Sequence, residues 1–302
     1  MNNRFLRFLK KHYQLYLLLL PSAVLLFCFA YLPMAGIVIA FQSYSPALGI
    51  MGSKFVGMKN FMQYFRSYQF AVTIKNTLVL SIYSILVGFP LPILLALMCN
   101  QMKTKMFKKV FQVITYLPHF ISTMVMCGLI LIFLSPSSGL FANLFKLFGA
   151  QFPNLMASAA NFKHVYVWSD IWQHLGWDSI IYLAAITSIN PDLYEAASID
   201  GAGRMSRIWH ITLPGLKPTI LILLIMNVGN VLNVGFELQY LLGNDLVKSV
   251  SETIDIYVLN YGISKGNYSL GVAAGIFKSL VSIILVFIAN TSAKAMGEES
   301  LY

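Results

Sequence analysis

The stretch HVYVWSDIWQHLGWDSIIYLAA (164–185) carries four side chains whose types and spacing suit ligand chemistry. Asp170, Gln173, His174 and Trp177 recur at i, i+3, i+4 and i+7, which places them on one helix face. A carboxylate, an amide and an imidazole beside an indole can hydrogen-bond hydroxyls and cover the apolar face of a ring, the two things a sugar requires. The same residues serve equally well as interfacial anchors, because Trp and Tyr collect at membrane surfaces. Asn227, Asn230 and Asn233 form a second polar stripe, recurring every three residues. They either line a pathway or hydrogen-bond between helices. His119 and Thr123, four apart beside Pro118, repeat the pattern on a smaller scale. Lys278 stands alone in an apolar run, and three roles stay open for it: snorkelling to the surface, pairing with an acid, or meeting an anionic ligand.

These residues do not make a catalytic centre. The five histidines, His12, His119, His164, His174 and His210, are scattered without zinc-ligand spacing. No triad or paired-carboxylate site is recognisable. The GxxxxGK[ST] phosphate loop is absent from the sequence, so this chain is expected to bind no ATP itself and to hold no metal or cofactor of its own.

The elements that position these side chains follow from composition. Of 302 residues, 58% are hydrophobic and 11% charged, with a mean hydropathy of +0.71. That leaves too little charge to cover a soluble domain, so the chain reads as an all-α polytopic protein of the cytoplasmic membrane. The net charge of +10 comes from Lys and Arg flanking apolar runs. This is the signature of membrane topology and argues against nucleic-acid binding. Cys28, Cys99 and Cys127 lie in or beside apolar runs and read as reduced, buried small hydrophobes.

Six stretches approach the roughly 20 apolar residues a span needs. They lie near 15–41, 74–100, 108–134, 165–189, 213–237 and 270–293 and make a single membrane domain over 1–302. The first is too long for a cleaved signal core and reads as an uncleaved helix. One set of connections is short and basic (Arg4, Arg7, Lys10 and Lys11; Lys103, Lys105, Lys108 and Lys109; Arg204, Arg207 and Lys217; Lys294). These face the cytoplasm by the positive-inside rule, with both termini inside. The opposite connections are longer and read either as docking surfaces built of short helices or as plain loops.

Between the fourth and fifth spans lies a small, charged island, EAASIDGAGRMSRIWHITLP (195–214). Asn190 can cap a helix, Pro191 suits its first position, and Asp192 complements its positive end. Asp192 and Glu195 also have capping-box spacing. Asp200-Gly201 signals a break. The expected shape is two short helices with a glycine elbow. Its small residues, Ala196, Ala197 and Ser198, leave a surface a partner can approach closely.

The spacing of this island, Glu195-Ala196-Ala197, Gly201, Ile211 and Leu213-Pro214, resembles the signature loop of ABC-importer permease subunits. The surrounding residues are similar to the sugar-transporting branch, within it the LplB-like group of oligosaccharide permeases and the maltose-importer large subunit. The resemblance implies a helical importer half with an extra N-terminal span. It implies that residues 190–212 form a coupling helix on an ATP-hydrolysing subunit, with Glu195 and Asp200 at the contact, Gly201 at the elbow and Pro214 starting the next helix. It further implies a second permease subunit, giving a heterodimer, and two ATP-binding cassette subunits that hold ATP and Mg. An extracytoplasmic solute-binding protein and an oligosaccharide cargo complete the set, with the cargo contacting the helices on either side of the loop. A different cargo (peptide, amino acid or phosphate) remains open, as does a non-ABC channel or membrane enzyme.

Overall fold

The computed structural model describes residues 11–295. Arg4, Arg7, Lys10 and both chain ends, on which the orientation of the termini leans, lie outside the described residues. Four helices are long and apolar enough to cross a membrane: α1 (Tyr13–Phe41), α3 (Tyr68–Gln101), α9 (Arg204–Gly229) and α12 (Tyr268–Ala295). Between them lie α2 (Lys59–Arg66), α4 (Lys105–Phe120), α5 (Thr123–Phe133), α6 (Leu140–Leu147) and α7 (Ala159–Thr187). The loop helix α8 (Pro191–Ile199) precedes α9. The connection from α9 to α12 holds α10 (Phe236–Leu242) and α11 (254–263). A two-stranded antiparallel ribbon, Gln42–Ser43 against Lys54–Phe55, is the one departure from an all-α chain among the described residues.

Three of the expected spans take a different form. The stretch 108–134 is not one kinked helix: α4 and α5 meet at 101°. Pro118 removes a backbone donor, and Ile121 and Ser122 then turn extended before Ser122 caps α5 by accepting from the Val125 N–H. The stretch 165–189 belongs to α7, whose 29 residues give about 43 Å of helix, more than the roughly 30 Å hydrocarbon core. Its charged and polar face keeps it out of the strongly apolar set. The stretch 213–237 ends early, at Gly229.

α7 is the centre of the bundle and packs against α3, α4 and α9. Its Gly176 sits against the α4 backbone at Thr115, where a Cβ would collide with the Thr115 carbonyl, so the two helices approach through glycine. Phe162, Tyr166, Val167 and Ile171 of α7 share a buried cluster with Leu80 of α3, Met126 and Cys127 of α5, and Leu238 and Leu242 of α10. A second cluster at the other end joins Ala96, Tyr182, Ile186 and Leu216. By contrast, residues 13–26 of α1 bury nothing against the rest of the chain. An apolar helix without internal partners fits lipid or a neighbouring subunit.

The long connections are built rather than loose. Asn60 donates to the Ala40 and Gln42 carbonyls, fixing α2 against the end of α1. Asn76 of α3 donates to the Ser249 and Glu252 carbonyls, and the Ile254 N–H donates to Thr77 Oγ1. Short helices are present in all three, and the segment 236–263 enters the core.

Candidate functional site

The loop leaves α7 through Asn190, whose side chain accepts from the Asp192 N–H, with Pro191 at the first helical position. The cap is therefore Asn190, and Asp192 sits inside the first turn rather than heading a capping box. α8 ends at Asp200, and Gly201 turns the chain with φ of +77°, the left-handed region that favours glycine. The second arm is not a separate short helix. It is the start of α9, which runs from Arg204 through a wide turn at Ile208–Thr212 and on to Gly229. Ile211 lies half-buried in that turn, and Pro214 in the turn that follows.

No side chain of α8 is buried, Glu195 and Asp200 included. Ile199 is 87% exposed, Met205 65% and Trp209 62%. The loop thus presents apolar side chains and charges together on one exposed surface. One hydrogen bond clasps the loop: Tyr194 Oη and Thr212 Oγ1 lie 3.0 Å apart, tying α8 to the base of α9.

The polar residues expected to share one face of α7 divide into two groups. Asp170 and His174 line a cleft of about 280 Å³ between α3, α7 and α9, with Asn227 of α9 opposite. His174 Nδ1 lies 3.0 Å from the backbone oxygen of Asp170 and 3.3 Å from its Oδ1. Both are acceptors, so Nδ1 carries a hydrogen and the ring is held in place by the preceding turn. Asp178 and Tyr182 extend the same cleft. Asp178 did not stand out in the sequence, although its i+4 spacing from His174 was the available signal.

The other group turns toward α4 and α5. Gln173 is 4% exposed and donates to the Ile121 carbonyl, satisfying a backbone oxygen freed by the α4–α5 bend. Trp177 stacks on His119, ring centroids 4.4 Å apart and planes within 6°. His119 also packs edge-on to His174 at 5.7 Å. Thr123 opens α5 beyond the bend, so it does not share a helix face with His119.

The asparagine stripe also breaks up. Asn227 is in the last turn of α9, Asn230 is the cap residue beyond it, and Asn233 lies in the following turn. Asn227 donates to the Leu223 carbonyl, Asn230 to that of Met226, and Asn233 to Asn230 Oδ1. They hydrogen-bond their own segment rather than a neighbouring helix. Asn233 lines a second, shallower cleft with Lys278 and Asp255. There the open question over Lys278 closes: its Nζ donates to both Asp255 oxygens at 2.6 and 2.7 Å.

Among the described residues, no group of His, Cys, Asp and Glu is arranged to hold a metal ion. The sequence model described as "Binding-protein-dependent transport system inner membrane component" matches residues 88–297. The Polygalacturonan/rhamnogalacturonan transport system permease protein YteP of Bacillus subtilis (strain 168) is 45% identical over 288 residues, 95% of this chain and 90% of that one. Protein LplB of the same organism is 40% identical, covering 97% and 92%. A solved bacterial alginate ABC transporter, in complex with an alginate pentasaccharide-bound periplasmic protein, has a chain that superposes with a TM-score of 0.90. It is 40% identical and covers 99% of this chain and all of that one.

Proposed function

Since this chain belongs to the family of binding-protein-dependent transport system inner membrane components, we propose that it is the permease subunit of an ATP-driven importer that carries an oligosaccharide across the cytoplasmic membrane. The observation that carries the reading is the clasped loop between α7 and α9, whose helix α8 buries no side chain, at the spacing of the family signature. An exposed helix bearing Glu195, Ala196, Ala197 and Asp200 suits a socket on a partner. The names of the related proteins support a polysaccharide or oligosaccharide cargo.

In this reading the chain crosses six times: α1, α3, the bent α4–α5 pair, α7, α9 and α12. Both termini and the 190–212 loop face the cytoplasm, where two ATPase subunits bind ATP and Mg. A second permease subunit completes the membrane part, and a solute-binding protein delivers cargo from outside. α8 follows α7 after the short break at 188–190, and the Tyr194–Thr212 bond ties it to α9. A push on α8 therefore reaches both helices at once. Asp170, His174, Asp178 and Asn227, which line the cleft between α7 and α9, are displaced with them. Alternating access follows when ATP-driven closure of the partner spreads these helices on the far side and resetting reverses the motion.

The cleft shapes the cargo preference. Its two carboxylates accept from sugar hydroxyls, whereas a uronate carboxylate meets like charge there unless His174 carries a second proton. Co-purification from the native membrane tests the assembly, and ATP-dependent uptake in reconstituted vesicles tests the cargo. Expected are an ATPase subunit in the purified complex and oligosaccharide uptake that requires ATP and binding protein. Uptake of a peptide, amino acid or phosphate in its place overturns the cargo, and flux without any ATPase overturns the importer.

A further inference from the structure

At the end of the bundle away from the 190–203 loop, the α10–α11 segment encloses a polar cleft of about 240 Å³. Two of its lining side chains are almost fully buried yet keep an oxygen without a partner among the described residues. These are Gln239 Oε1, on a residue 1% exposed, and Glu252 Oε1, on a residue 6% exposed. Gln239 spends its amide donor on the Ser251 carbonyl at 2.7 Å, which aims the amide and leaves its oxygen free. Glu252 is anchored through its backbone, whose carbonyl accepts from Asn76. Its one-turn neighbour Lys248 lines the cleft without forming an ion pair with it. A buried acceptor without a donor costs about 1–3 kcal/mol, and more for a charged group, so two in one cleft require an explanation.

The rest of the lining says what kind of donor fits. Asn244, Lys248 and Asn260 add amide and ammonium donors, and Tyr240 stands exposed at the rim. One face of its ring packs on Phe236, centroids 5.9 Å apart. The lysine disfavours a divalent cation. Planar amides and a carboxylate match neighbouring hydroxyls, each of which both donates and accepts, and an aromatic rim matches the apolar face of a pyranose. The volume lies below the roughly 300–1,000 Å³ of pockets that enclose a whole ligand, so it admits one ring and not a chain. We propose that the α10–α11 cleft is a carbohydrate subsite that holds a single ring of the cargo at the extracytoplasmic rim, on hydrogen bonds to Gln239 and Glu252. The proposal rests on the oligosaccharide-importer reading.

The test is saturation-transfer NMR on the assembled transporter in nanodiscs, without its binding protein. The probes are maltotriose, arabinotriose and trigalacturonate. Transfer to at least one probe is expected. Tyr240→Ala and Glu252→Leu, which removes the acceptor, should each weaken the titrated affinity about tenfold, the loss of one good contact. Tyr240 is exposed, so its variant keeps the fold, and an unchanged melting midpoint verifies this. The subsite is overturned by no transfer from any probe, or by affinity unchanged in both variants. It is equally overturned when the variants lose only binding-protein-stimulated ATP hydrolysis, because the cleft then seats protein. Uptake of the same sugars with the binding protein separates the two readings. Uptake without rim binding removes the subsite alone, and absence of uptake of all three counts against the oligosaccharide reading.

Discussion

Two connections in this molecule join long helices at opposite ends of the bundle, and they behave oppositely. The 190–203 loop, between α7 and α9, buries none of its α8 side chains and holds its shape with a cap, a glycine turn and one clasp. The 236–263 segment, between α9 and α12, also consists of short helices, yet Leu238, Gln239, Leu242, Ile254 and Tyr257 are all at most 3% exposed. The first keeps its side chains outside the core and the second is part of that core. Short helices with polar residues are thus no guide to burial. What matters is whether their apolar side chains find partners inside the chain.

This contrast can be broken by substitution. The largest effect is expected at Glu195. Glu195→Lys reverses an exposed charge at the proposed partner contact, so uptake should fall to background while membrane abundance and melting midpoint stay at wild-type values. Wild-type uptake would remove the coupling role from this loop. Next is Thr77→Val, close in shape and aimed at the other segment. It leaves the buried Ile254 N–H without its acceptor, a loss of about 1–3 kcal/mol. A lowered melting midpoint is expected in the assembled transporter, with coupling per ATP unchanged; an unaltered midpoint would show that 236–263 is not held by this bond.

The smallest effect concerns pH. Burial pushes the Glu252 carboxyl above its ordinary value near 4.5, with Lys248 and Lys265 pulling the other way. The folded state then holds this proton more tightly than the unfolded chain. Stability contributed by Glu252 is therefore full below 4.5 and declines as pH rises through the raised value. Glu252→Gln should flatten that decline, raising the melting midpoint near neutral pH and leaving it unchanged in acid. Melting curves across that range check it, and an identical slope in both proteins would mean the carboxyl titrates normally.

The asymmetry extends to what could be read in advance. Asn190, Pro191, Gly201 and the Glu195–Pro214 spacing act through neighbours within a few residues, so residue types alone located the loop and its elbow. The α7 face was only half legible. Helical spacing grouped Asp170, Gln173, His174 and Trp177, but the close approach of α4 at Gly176 takes Gln173 and Trp177 for the α4–α5 bend. The Asn227–Asn233 stripe assumed a helix that continues past Gly229, and its end there separates the three. Lys278 had several open roles because Asp255 lies 23 residues earlier, on a different element.

From the sequence alone came the membrane class, the apolar runs and the position and elbow of the exposed 190–203 loop. Each depends on local composition, helical period or short-range turn chemistry, which the chain carries without reference to its fold. The tertiary structure decided which polar groups share a place: Gln173 bonds Ile121 and Lys278 bonds Asp255, while Asp170, His174 and Asp178 line one cleft with Asn227, and Gln239 lines another with Glu252. Those meetings depend on where helices end, bend and cross. That is set by backbone contact between distant residues, such as Gly176 against Thr115, and no local pattern records it.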